Sequence, residues 1–183
     1  MTAYPLPVLG FAAWSGTGKT TLLKALLPRL RQQGLRPACI KHAHHDFDVD
    51  TPGKDSYELR HAGAEQMLIA SSQRWALMVE EEQTAPPPLA ELILRLDTSK
   101  LDLVLVEGFK AEAFPKIELH RLALGKPWLF PRDPHILAVA TDAPEALPHD
   151  CSLPSIHLDD LDTLERFIVG FCQQPAADWR QNP

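Results

Sequence analysis

Cysteine is scarce in this chain. Its 183 residues include three, Cys39, Cys151 and Cys172. They are odd in number, far apart, and form no C-x-x-C pair. A disulfide framework or a zinc ribbon needs paired spacings, so neither is expected. Buried, reduced thiols of a cytoplasmic protein are expected instead. Long hydrophobic runs are also missing. No stretch approaches the roughly 18 apolar residues of a membrane helix, so no membrane partner is expected. Met1-Thr2-Ala3-Tyr4-Pro5 places no basic run ahead of an apolar one, and no secretory signal is expected. Positive charge is not in excess either. Eighteen Lys and Arg face twenty-four Asp and Glu, for a net charge of −6 and a pI near 5.7. Broad nucleic-acid binding wants a basic face, so no nucleic-acid partner is expected. An anionic ligand must be held by a local device, not by the overall field.

What is present is globular. Apolar residues make up 45% and charged residues 23% of the chain. A chain of this length buries roughly 70% of its unfolded surface and needs no staple. The expectation is a single domain over 1–172 with a loose tail at 173–183. There is no internal repeat. Residues 6–13 read as a buried strand, followed by a helix from Lys19 to Gln33. Leu22, Leu23, Leu26, Leu27 and Leu30 form its apolar face, Gly34 stops it, and Pro28 predicts a bend. Strands are expected at 35–41, Met67–Ala70, Trp75–Val79, Leu101–Val106 and Ile136–Ala140. The second and third of these form a hairpin. Ile117–Leu122 reads as an edge strand. Helices are expected at Asp55–His61, at Leu89–Leu96 and after Asp159 and Asp160. Strands alternating with helices predict an α/β three-layer fold with a mainly parallel sheet and antiparallel extension strands.

The strongest motif is Ala13-Trp14-Ser15-Gly16-Thr17-Gly18-Lys19-Thr20, between a strand and a helix. A phosphate chain needs several N–H donors converging on it, so the backbone must curl tightly. Gly16 and Gly18 permit the curl. The free N–H groups of the helix start, through Thr21, then face the anion together with Ser15 and Thr17. Lys19 reaches the β- and γ-phosphates, and the Thr20 hydroxyl is placed to ligate Mg²⁺. The usual pattern opens on Gly, where this chain has Ala13.

Several acids bear on that loop. Glu107 ends the strand Leu103-Val104-Leu105-Val106, where ligands bind in open α/β sheets, and is the prime Mg²⁺ candidate. A Glu held by local N–H groups is the alternative. Asp55 is either a second Mg²⁺ ligand or a plain N-cap. Asp142 can accept both N–H donors of a guanine edge, or it closes an Asx turn. Asp102, at the other end of the strand, reads as structural. Lys41, His44, His45 and Asp46 belong to a loop after the second strand. It reads as a substrate or switch loop, a transition-metal site or a solvated loop. Trp14, Trp75 and Trp128 read as packed residues ahead of stacking platforms.

The blocks 11–23, 41–46, 52–60, 73–78 and 98–110 together resemble the MobB family, adapters of molybdopterin-guanine dinucleotide biosynthesis, over most of residues 6–172. The resemblance implies a cytoplasmic, homodimeric GTP-binding protein that hydrolyses GTP slowly at most, with Lys19 and Glu107 in catalytic roles. It implies GTP and Mg²⁺ as cofactors and the guanylyltransferase MobA as partner, with molybdopterin as a further candidate ligand. The Glu107-Gly108 pair also resembles dethiobiotin synthetase, which leaves an ATP-dependent small-molecule kinase or ligase as the alternative.

Overall fold

A computed structural model describes residues 4–43, 47–81 and 85–174. The chain forms two compact units. One runs up to His42 and resumes at Pro88; the other is Ala43–Pro87.

The first unit is built on a six-stranded sheet. Its strands are β1 (Val8–Ala13), β2 (Pro37–Lys41), β5 (Leu103–Glu107), β6 (Lys116–His120), β7 (Ile136–Thr141) and β8 (Ser155–His157), in the order β2-β5-β1-β6-β7-β8. Every neighbouring pair is parallel. The strand carboxyl ends therefore share one edge, which is where the sequence motifs lie. All six residues of β1 are buried, as its place between β5 and β6 requires. Helix α1 (Lys19–Gln32) buries Leu22, Leu23, Leu26 and Leu30, and it continues through Pro28. Helix α4 (Leu161–Gln173) buries Leu164, Ile168 and Phe171. The two helices lie side by side. Arg29 bonds Glu165 at 2.6 Å and also pairs with Asp162. Helix α3 (Leu89–Leu94) adds Leu89 and Ile93 to the same core. Asp102 pairs in a fork with Arg36 at 2.8 and 2.9 Å, a structural role.

The second unit holds α2 (Asp55–His61) and the antiparallel hairpin of β3 (Gln66–Ala70) and β4 (Trp75–Val79). Arg60 ties it together. Its guanidinium meets both oxygens of Asp48, at 2.6 and 2.8 Å, and Glu80 at 2.6 Å. This pairing holds Asp48 below its usual carboxylate range.

Three expectations are corrected, and one strand is new. Strand β6 is interior, not an edge. Its alternating Lys116, Glu118 and His120 are all buried because each has a partner. Lys116 bonds Asp133 at 2.9 Å and the Glu112 carbonyl at 2.6 Å. Glu118 accepts the Leu129 and Phe130 N–H groups at 2.8 Å, and His120 meets the Lys126 carbonyl at 2.9 Å. A polar period that normally faces water here faces the segment folded over it. Strand β8, only three residues long, carried no readable period. Cys39 is exposed, since β2 is at the sheet edge; all three cysteines are free. Trp75 is 67% exposed, because its two-stranded sheet buries little. Trp14 and Trp128 are half-buried, the latter stacked on His120 at 3.6 Å.

Candidate functional site

Strand β1 ends at Ala13 and α1 begins at Lys19, so the phosphate-loop motif is the turn between them. Ala13 is still in the strand, paired with Leu119. Gly16 and Gly18 have φ of 82° and 100°, which a residue with a Cβ rarely adopts. Thr17 is buried, and its hydroxyl donates to the Trp14 carbonyl at 2.8 Å. Ser15, Gly16, Thr20 and Thr21 face solvent.

The start of α1 is unlike that of α4. Helix α4 is capped by Asp160, which accepts from the Thr163 N–H at 2.9 Å. Helix α1 has no side-chain cap and no acid in its first turn. Its first N–H groups and its positive dipole end thus keep their capacity for an outside anion. Lys19 donates from Nζ to the Trp14 carbonyl at 3.3 Å, which parks the ammonium on the loop.

Glu107, the last residue of β5, pairs in register with Phe11 on one side and Lys41 on the other. Its Oε2 accepts from the Thr20 hydroxyl at 3.4 Å and lies 3.9 Å from the Lys41 Nζ. Two oxygens on adjacent positions of one Mg²⁺ stand about 2.9 Å apart, so Thr20 and Glu107 fit such an ion after a small closure. Among the described residues no group of three His, Cys, Asp or Glu could hold a metal alone. That leaves the remaining ligands to water and phosphate, as Mg²⁺ commonly has them.

On the other side of β1, the loop meets Arg121, a residue the sequence reading passed over. Its Nε donates to the Thr17 carbonyl at 2.9 Å, and its Nη1 lies 3.5 Å from Asp142. Asp142, just past β7, also accepts the Leu122 N–H at 3.0 Å. Arg121 directly follows the buried run of β6, and only the strand order brings it beside the loop. Trp14 is pinned by its indole N–H to the Pro127 carbonyl at 2.9 Å.

The structure thus gathers the loop residues, Glu107 and Lys41, and links Asp142 to them through Arg121. Asp55 stands exposed in the first turn of α2, in the second unit. It is not the N-cap; Lys54 is, and Glu58 reaches back to the Gly53 N–H at 3.2 Å. His44, His45 and Asp46 lie outside the described residues. Among the described residues no helix is long and apolar enough to cross a membrane.

Chemically, the arrangement offers the uncapped main-chain donors of a helix start, the Lys19 and Lys41 ammonium groups and a carboxylate–hydroxyl pair. Such a set binds a phosphate chain with a divalent cation. Comparison with known proteins identifies a family. The family model for MobB, molybdopterin guanine dinucleotide synthesis protein B, matches residues 8–142. The chain is 54% identical over 170 residues to the molybdopterin-guanine dinucleotide biosynthesis adapter protein of Escherichia coli K12, covering 92% of this chain and 95% of that one. The adapter of Haemophilus influenzae is 47% identical over 139 residues, 76% of each chain. A solved structure of molybdopterin-guanine biosynthesis protein B matches with a TM-score of 0.68 at 26% identity, over 89% of this chain and 98% of that one.

Proposed function

The chain belongs to the MobB family, adapters of molybdopterin guanine dinucleotide biosynthesis, and from that premise we propose that it serves the pathway by holding GTP with Mg²⁺ at the β1–α1 turn. The observation that carries the reading is the uncapped start of α1 behind two left-handed glycines, with Thr20 and Glu107 meeting 3.4 Å apart beside it. Main-chain N–H groups of residues 15–21 bind the phosphates, and Lys19 leaves the Trp14 carbonyl to meet the β- and γ-oxygens. Thr20 and Glu107 hold the metal, with Asp55 as a further candidate. Bound Mg²⁺ neutralises charge on the terminal phosphates. Glu107 or the 42–50 loop, with His44, His45 and Asp46, positions water at that end, and Lys41 adds to charge neutralisation at the phosphates. In the cytoplasm the chain works beside MobA, which joins GMP to molybdopterin. The ATP-dependent kinase or ligase reading is not favoured by the adapter relatives.

With the metal on the β5 side of β1, the base extends the opposite way, over the ends of β6 and β7. Asp142 stands there; its Oδ1 already accepts the Leu122 N–H and its Oδ2 lies 3.5 Å from Arg121, and the second lone pair of each oxygen serves the guanine edge. GTP should therefore bind more tightly than ATP. Asp142→Asn keeps an oxygen for the Leu122 N–H but loses one acceptor toward guanine. The preference for GTP should fall by about 1–3 kcal/mol, the worth of one bidentate pair. Calorimetric titration with GTP and ATP checks this; tighter binding of ATP by the native chain would remove the guanine reading.

The second unit supports a homodimer. Leu68, Ile69, Trp75 and Leu77 of the hairpin are 57%, 47%, 67% and 44% exposed. A two-stranded sheet is marginal alone, and its open edges invite pairing. A two-fold copy of the same hairpin would cover both liabilities. Leu68→Lys combined with Trp75→Lys should convert a dimer to monomer in sedimentation velocity. A dimer that survives both charges places the interface elsewhere.

A further inference from the structure

Lys110 is a cation that the site described above leaves without a task. It follows Gly108 and Phe109, whose φ values of 105° and 51° are both left-handed. At Gly108 space as well as backbone calls for glycine, since a Cβ there would stand 2.6 Å from that of His42. For Phe109 such a backbone is sparsely populated and persists only where the surroundings over-determine it. Here the ring is buried, with its centroid 4.9 Å from that of His42. The chain therefore turns back immediately after Glu107. The turn brings the Lys110 ammonium to 5.5 Å from the centre of the Trp14 ring. Trp14 is the same residue whose carbonyl holds the Lys19 ammonium at 3.3 Å. Partial burial, and next the charge of Lys19, hold the Lys110 pKa below its ordinary value. Two ammonium groups kept near each other repel, and an anion between them removes that cost.

The position along the phosphate chain follows from Glu107. Thr20 and Glu107 would hold a metal that neutralises charge on the terminal phosphates, which would put the γ end at the Glu107 end. Lys110 is three residues beyond Glu107, while Arg121 lies on the opposite side of β1. We propose that Lys110 is the second cation of the terminal phosphate and sets the preference for nucleoside triphosphate over diphosphate, whereas Lys19 serves both. This rests on the nucleotide reading of the loop.

The test compares binding of a non-hydrolysable GTP analogue and of GDP, each with Mg²⁺, to the full chain. Lys110→Gln should weaken the triphosphate about tenfold or more, as loss of a desolvated charge pair does, and leave GDP within about twofold. Lys110→Arg should keep most of the preference. Lys100→Gln makes the same charge change before β5, at the far end of that strand, and should alter neither ligand. Retained GDP binding also reports that the Lys110→Gln fold is intact. An unchanged ratio of the two affinities in Lys110→Gln overturns the proposal. So does an equal loss for both nucleotides, or an equal effect from Lys100→Gln. Failure of the native chain to bind either nucleotide would instead remove the reading of the loop itself.

Discussion

Lys19→Ala should weaken GTP binding by about 30-fold or more while leaving the fold in place. Among the described residues the Lys19 ammonium makes one hydrogen bond, to the Trp14 carbonyl at 3.3 Å. Little folding energy rests on it, and a substitution of this kind normally moves stability by no more than about 0.5 kcal/mol. Toward a phosphate chain its role is different. It is the cation of the loop itself, set among main-chain donors, and the net charge of −6 offers no long-range substitute. Removing one partner of a desolvated, hydrogen-bonded charge pair costs about 2–5 kcal/mol. That is roughly 30-fold to several-thousand-fold in affinity. Calorimetry with GTP reads the loss, and thermal unfolding by circular dichroism reads the unchanged fold. The variant should also fail to support formation of molybdopterin guanine dinucleotide by purified MobA. Native-like GTP affinity in Lys19→Ala would mean the β1–α1 turn is not the phosphate site.

Glu107→Gln should separate metal from nucleotide. The substitution keeps the size of the side chain and an oxygen for the Thr20 hydroxyl, so the end of β5 should hold. It removes the negative charge that makes the position a ligand for a hard cation. Even partners outside a metal's own ligand shell are worth about 10–100-fold in metal affinity, so a direct ligand should cost at least that. The Mg²⁺ concentration needed for half-maximal GTP binding should rise by that factor. Binding of GTP without metal should stay the same or improve, because one carboxylate fewer faces the γ-phosphate. Lys41, 3.9 Å from Glu107 and mostly exposed, adds little to the folded state at that distance. A metal titration identical to that of the native chain would leave Glu107 as part of the fold alone.

How much of this could be read without coordinates depends on how local each cause is. The phosphate loop was legible because its chemistry is written in adjacent residues. A buried strand, two glycines, Lys19, Thr20 and a leucine-faced helix each act through their neighbours. Glu107 was legible for a related reason: an unbroken apolar run ending in a carboxylate marks a strand end in a parallel sheet. The periods of α1, α4 and the hairpin were equally local, and those elements fell within a few residues of their expected bounds.

Strand β6 shows where local reading ends. Its alternating Lys116, Glu118 and His120 carry the period of a strand open to water, yet all three are buried. The partners that make this tolerable, Asp133, Leu129, Phe130 and Lys126, come from a segment with no periodic signal of its own. Arg121 against Thr17 and Lys110 above Trp14 are decided the same way. The strand order β2-β5-β1-β6-β7-β8 places residues about a hundred positions apart at one edge of one sheet. The sequence by itself determined a glycine turn and a helix start able to grip a phosphate with main-chain donors, since tight turns and helix starts are short-range steric facts. Only the tertiary structure decided which distant charges surround that grip, because strand order is a global outcome of burying every apolar face at once.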